Sequence, residues 1–321
     1  MATAKNYSKK NVSKKNVTKT FKDTYQEVTD AVIKSLEEGT VVWQCPWNTV
    51  GFPKNITTDI NYRGWNIFWL NFNTMMNNYT TPYYITYKQA QELGGTVKKG
   101  EKGTQITYWA TIELKSLARE IEDQETGDKK EICPTKMVPK VHTVFNIDQT
   151  EGIEFPKFEA LFRSNASKIQ ACENIIAEMP NKPKISLDGK SAYYSPKLDA
   201  VTVPSLEISK TNESFYSTLF HELAHSTGHA SRLNRKELVE SDGYGKTNYS
   251  KEELTAEMTA GFLCAITGIE QVTHANSAAY IEFWLKALKN DKTLILKAAA
   301  QAQKAADYIL NVKPYEAVKA A

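Results

Sequence analysis

The chain has 321 residues, 41% hydrophobic and 24% charged, an ordinary globular composition with room for two domains, each with its own core. No stretch approaches the run of about 20 apolar residues that crosses a membrane, and the basic N-terminus has no apolar segment behind it, so neither a membrane span nor a secretory signal is expected. The net charge is only +3 but it is unevenly spread: the first 22 residues carry Lys5, Lys9, Lys10, Lys14, Lys15, Lys19 and Lys22 and no acid.

Residues 1–20 contain a small repeat, Ser8-Lys-Lys-Asn-Val12 then Ser13-Lys-Lys-Asn-Val17. Such a segment buries too little apolar surface to order itself, so a disordered basic tail is expected there. A helix is predicted from about Phe21, with Tyr25, Val28, Val32, Ile33 and Leu36 on one face and Gly39 as its stop. Trp43-Gln-Cys-Pro-Trp47 reads as a loop, and Asn61-Tyr-Arg-Gly-Trp-Asn66 opens an apolar run, Ile67 to Phe72. Tyr83 to Tyr87 predicts a strand, Lys88 to Leu93 a helical turn, and Val97 to Gly103 a tight basic turn with two glycines. Ile106–Ile112 and Val138–Ile147 predict the arms of a long hairpin, with charged residues 118–136 between them and Glu125-Thr-Gly-Asp128 at the tip.

Pro156 and the polar stretch after it mark a boundary, giving domains at 21–155 and 156–321. The second opens with a helix at 159–178 and two short strands, Ser191–Ser195 and Ala200–Val203. Helices follow at 212–227, 250–267 and 275–312. The expected fold class is α+β: a mixed α/β first domain, then a mainly helical one with a small sheet.

The chemistry lies in His221-Glu-Leu-Ala-His225. Histidines four apart on a helix share a face, so both imidazoles can ligate one Zn²⁺. Glu222 beside them can take a proton from a metal-bound water. Gly228 reads as the helix stop. Ser231 stands where the longer HExxHxxGxxH pattern needs histidine, so the third ligand comes from elsewhere. His229, past the glycine, is expected to turn away. The helix beginning at Ser250 offers two glutamates. Ser250 and Glu253 form an S-x-x-E capping box, which gives Glu253 a structural task. Glu257, one turn deeper before Ala260 and Gly261, is the preferred ligand, with Glu253 as the alternative. Tyr193 and Tyr194 read as core aromatics. Tyr244 and Tyr249, between the two ligand helices, could each donate to an oxyanion.

Cys45, Cys133, Cys172 and Cys264 form no CxxC pair, so reduced thiols in a cytoplasmic protein are expected. The first half interleaves aromatic residues with basic ones. Arg63, Trp65, Lys88, Lys98, Lys99 and Lys102 are the candidates for contact with single-stranded DNA, aromatics stacking on bases and lysines neutralising phosphates.

Six segments occur in a familiar order: Asn61–Asn66, Ile85-Thr-Tyr-Lys-Gln-Ala-Gln-Glu-Leu-Gly-Gly95, Lys98-Lys-Gly-Glu-Lys-Gly-Thr104, Val144-Phe-Asn-Ile-Asp-Gln149, Ala192-Tyr-Tyr-Ser-Pro196 and His221–His225. Together they resemble the ArdC-type antirestriction proteins of plasmids, phages and conjugative elements, over about residues 21–312. The resemblance implies an N-terminal single-stranded-DNA-binding domain and a C-terminal zincin-like metallopeptidase domain. It implies His221 and His225 as metal ligands, Glu222 as the catalytic acid/base, and a mobile-element protein that protects incoming DNA from host restriction proteins. Two other readings stay open: a DNA-binding protein with a structural or inactive zinc site, and a DNA-dependent protease acting on DNA-bound proteins.

Overall fold

A computed structural model of the chain describes residues 15–44, 52–114, 116, 119–122, 129–155, 164–239, 247–271 and 278–312. Helix α1 (Lys15–Glu37) buries Val28, Val32 and Leu36 at four-residue spacing, and Gly39, at φ 83°, follows its end. The helix begins inside the segment read as a disordered tail, so residues 15–20 correct that expectation. Residues 1–14 and the second tryptophan of the Trp43–Trp47 loop lie outside the described residues.

Strands β1 (Lys54–Asn55) and β2 (Ile60–Asn61) lead to α2 (Trp65–Met76), whose apolar residues Trp65, Ile67, Phe68, Leu70 and Phe72 are all buried. A helix apolar on several sides belongs inside a core. Strand β3 (Tyr83–Thr86) runs straight into α3 (Tyr87–Glu92), opened by a capping box between Thr86 and Gln89. Then come β4 (Thr96–Val97), β5 (Thr104–Glu113), β6 (Arg119–Glu122), β7 (Lys129–Ile132), β8 (Thr135–Asn146) and β9 (Thr150–Glu151). The expected long hairpin is β5 against β8, antiparallel from Thr104–Val144 to Glu113–Thr135. Its charged insert is itself a hairpin, β6 with β7, and the expected tip at 125–128 lies outside the described residues. The main sheet runs β2-β1-β3-β8-β5, and β4 pairs with β9.

In the second half, α4 (Asn165–Glu178) is capped by Ser164. Strands β10 (Lys184–Ser186), β11 (Tyr193–Ser195) and β12 (Ala200–Thr202) form a sheet in the order β10-β12-β11, one strand more than expected. The helices are α5 (Asn212–Ser226), α6 (Lys236–Val239), α7 (Thr247–Thr267), α8 (Ala278–Asn290) and α9 (Leu294–Ile309). The stretch expected as one helix at 275–312 breaks between α8 and α9. There the Asp291 carboxylate accepts from the Thr293 amide (2.9 Å) and hydroxyl (2.6 Å), offering the backbone an alternative to the helix.

The architecture is α+β. One apolar core runs through both halves: Val32, Leu36 and Trp43, with Phe68 and Phe72 of α2, join Leu219 and Leu223 of α5, Phe262 of α7 and Ile295 of α9. The alanine face of α9 (Ala298, Ala299, Ala302, Ala306) is buried in the same core. Small side chains of this kind let helices close up with little side-chain entropy lost. The main sheet keeps its own small cluster of Leu70, Tyr84, Ile106 and Val144. No described helix is long and apolar enough to cross a membrane.

Candidate metal centre

Helix α5 starts at the Thr211 cap, which accepts from the Ser214 amide, and is buried along its length. Being locked in the core fixes the rotamers that His221 and His225 present. Their Nε2 atoms lie 3.1 Å apart. Glu253 of α7 completes the group: one carboxylate oxygen is 3.6 Å from His221 Nε2 and the other 3.4 Å from His225 Nε2. Metal–ligand bonds of about 2.0–2.1 Å in a tetrahedron put donors about 3.4 Å apart. The three donor atoms therefore fit one divalent cation of this size.

Behind them stands a second layer. His225 Nδ1 donates to Glu252 at 3.2 Å, which leaves Nε2 with a free lone pair facing the cluster. Glu252 is in turn held by two nitrogens of Arg235, one at 2.9 Å. Arg235 also donates to the Ala224 carbonyl at 2.8 Å at the end of α5. Gly228 makes room for this guanidinium, since a Cβ there would sit 2.9 Å from it. Burial, the largest influence on Glu252, would raise its carboxyl; Arg235 and His225 outweigh it and hold it at about 2. Burial acts likewise on Glu253, and His225, His221 and a hydrogen bond from Tyr249 bring it to about 2. Burial alone would lower the His221 imidazole, yet Glu253, Glu257 and Glu222 raise it to about 9. So much anionic charge around two buried imidazoles is the electrostatics of a cation site.

A cleft of about 680 Å³ opens onto the cluster, lined by His221, Glu222 and Glu253, by Lys190–Ala192 beside β11, and by Lys210. The expected residues His221, Glu222 and His225 thus meet in one place. Glu257, the preferred third ligand, does not join the donor atoms: it accepts from the Tyr280 hydroxyl at 3.2 Å, and Gln271 holds its backbone carbonyl at 3.0 Å. Glu253 stands there instead, and the reason is local. α7 begins at Thr247, so Ser250 is inside the helix rather than at its N-cap. His229 turns to Ser231, as expected. Tyr194 donates to Asp199 at 2.8 Å, Tyr193 is exposed, and Tyr244 lies outside the described residues.

Sequence reasoning missed Glu252 and Arg235. The available signal was arginine usage: in a lysine-rich chain, Arg232 and Arg235 fall within ten residues of His225, and a planar fork is what clamps a buried carboxylate.

Among the candidate DNA contacts, Trp65 is 8% exposed and part of the core, so its ring offers no face to a base. Arg63 pairs with Asp307 of α9. The expectation for Trp65 is corrected by its burial; Arg63, still 46% exposed, ties the first half to the last helix. Lys88, Lys98, Lys99 and Lys102 are exposed; Lys88 lies 3.4 Å from Glu92 and Lys98 donates to the Asp148 carbonyl.

Comparison with known proteins agrees with this geometry. A family model described as a zincin-like metallopeptidase matches residues 170–301. Another, the N-terminal domain of anti-restriction factor ArdC, matches residues 22–145. The solved antirestriction ArdC protein of the R388 plasmid, metal-free, is 38% identical with a TM-score of 0.67, covering 89% of this chain and 96% of that one. The chain belongs to the ArdC family of antirestriction proteins. The Mn(II)-bound form of R388 ArdC gives 35% identity and a TM-score of 0.68, covering 89% and 97%. Outside the solved structures, protein y4eC of Sinorhizobium fredii is 31% identical over 89% of this chain and 91% of its own length. A DNA primase TraC of Escherichia coli is 33% identical over 90% of this chain. The ArdC-like chain spans only 20% of that primase.

Proposed function

We propose that this ArdC-family chain holds single-stranded DNA on its first half and carries a zinc peptidase centre in its second, protecting incoming plasmid DNA from restriction in the host cytoplasm. The observation that carries the peptidase reading is the convergence of His221, His225 and Glu253 at ligand spacing in an open cleft that also contains Glu222. Structural zinc takes four protein ligands and no open position. Among the described residues three converge, and they face a cleft, which favours a catalytic centre over a structural one.

His221, His225 and Glu253 would hold the ion. Bound zinc supplies a water that ionises near neutral pH and polarises a carbonyl. Glu222, 7% exposed beside His221, would accept the water's proton and hand it to the leaving amine. Glu252 and Arg235 keep the His225 ring in one tautomer and orientation. For the first half, exposed Lys98, Lys99 and Lys102 with exposed Tyr87 and Tyr108 support single-strand binding.

The test is Glu222→Gln beside wild type, assayed for metal content, proteolysis and antirestriction in plasmid transfer. The variant should keep about one metal per chain and lose at least about a hundredfold in proteolysis, the share of a general base. Antirestriction lost with proteolysis supports the full reading. Antirestriction kept while proteolysis is lost confines the peptidase to another role. A wild type that retains no divalent metal overturns the centre itself.

A further inference from the structure

The lysine-glycine segment that marks the family has no part in the metal centre. In the fold it forms one wall of a separate cleft of about 560 Å³, with α2 as the other wall. Trp69, Asn73 and Asn77 line it from α2, Tyr79 from the turn that follows, and Glu101 and Lys102 from the loop. The loop takes this shape through its glycines: Gly100 has φ 92°, and a Cβ on Gly103 would lie 2.3 Å from Thr143.

The lining is mixed in a particular way. It offers aromatic rings, amide side chains and two carboxylates, Glu27 and Glu101, within one pocket, with Lys102 beside them. The pocket already has internal order: Asn73 donates to Thr104 at 2.8 Å, Asn77 donates to Asn73 at 3.0 Å, and Gln149 donates to Glu101 at 2.8 Å. Each of these residues nevertheless has hydrogen-bonding capacity beyond the bond it makes. The Trp69 indole Nε1 is buried with no acceptor at all, an unusual state for a native donor. Lys102 lines the cleft and is exposed, and Lys99 is exposed on the same loop.

We infer that this cleft receives one unpaired nucleobase of a single DNA strand, with its phosphates outside on Lys99 and Lys102. A base presents a flat face to aromatic rings and an edge of donors and acceptors to amides and a carboxylate. Phosphate is excluded from the interior by the Glu101 and Glu27 carboxylates, both at the cleft, while those same groups accept from exocyclic amino groups. The Watson–Crick edge is free only when the base is unpaired, so the cleft discriminates single strand from duplex by what it can reach. This inference rests on the single-strand reading above and names where on the chain a base is held.

The test uses the full chain, a labelled 20-mer single strand, and a matched strand whose central residues are abasic, with binding read by anisotropy. Asn77→Ala and Trp69→Phe are the variants; Asn77 is exposed, and phenylalanine keeps a ring at position 69 while deleting its N–H. Each should weaken the base-bearing strand several-fold, and the two together about tenfold or more, the worth of one held base. Neither should change binding of the abasic strand. Lys102→Ala should weaken both strands alike, as a phosphate contact does. Equal losses on both strands for Asn77→Ala and Trp69→Phe, or no loss on either, overturn the inference and leave single-strand binding standing. A wild type that binds neither strand overturns the single-strand reading itself, and this site with it.

Discussion

At the scale of single residues, the metal centre depends on groups that touch no metal. Glu252 receives the His225 Nδ1 proton and is clamped by Arg235. Glu252→Gln keeps an acceptor but removes the charge. It should lower metal affinity by about tenfold or more, the usual cost of losing such a partner; chelator competition measures this, and an unchanged affinity would show that the charge of Glu252 does not tune the ligand. A second, part-buried pair sits nearby, with Arg232 covered and Asp199 about a third exposed. Asp199 and Arg232 join the small sheet to the end of α5, Arg232 also donating to the Ser226 carbonyl at 2.7 Å. The Arg232 hydrogen bond lowers the Asp199 carboxyl below its usual range, against the opposing effect of burial. A depressed folded value means stability gained above the unfolded value of about 3.9 and lost as pH falls through the lower folded one. With Asp199 about a third exposed, solvent screening keeps the effect small: Asp199→Asn should cost about 1 kcal/mol or less near neutrality and nothing at a pH where both forms are uncharged. Thermal melts from pH 7 down to about 2 read this. Asparagine suits the test because position 199 has φ 46°, a conformation it tolerates.

Elements show what was legible in the sequence and what was not. Histidines four apart on an apolar helix have one geometric meaning, so His221, Glu222 and His225 could be placed from spacing alone. The third member of the cluster could not, because the choice between Glu253 and Glu257 turned on where α7 begins. Ser250 with Glu253 looks like a helix start, yet the helix opens at Thr247, and local pattern cannot see a turn added upstream by tertiary packing. The apolar run after Gly64 lacked a period, since a helix buried on several sides shows none. Aromatic residues posed the same problem: Trp65 is core and Tyr108 is surface, and composition is silent on which. The lysine-glycine loop is legible as backbone. Gly103→Ala should destabilise by about 1–3 kcal/mol through overpacking against Thr143 and Phe145, read as a lower midpoint in urea. A neutral result would mean that the loop yields freely.

For the whole molecule, the main lesson is continuity. Two family models match different halves of the chain, residues 22–145 and 170–301, and so divide it near its middle. The apolar core does not: α1, Trp43 and α2 pack with α5, α7 and α9. Residues 21–155 and 156–321 expressed apart should each melt below the intact chain, because each leaves part of that core in water. Two halves that both melt at the intact temperature would show that the shared core contributes little.

Trp43 makes this continuity tangible. Its indole donates to Tyr280, which donates to Glu257 in the metal cleft, so a residue of the first half helps build the wall of the second. On the proposed reading, a strand held on one half would sit at a set distance from the cleft on the other. For a chain of this length that distance is on the order of 20 Å, the radius of a folded body of 321 residues. A protein lying on the same strand within that radius meets the cleft at an effective concentration of about millimolar. Selection of what is cut would then need little recognition of its sequence: on the proposed reading the DNA would act as the address, and neighbourhood would do the work of specificity.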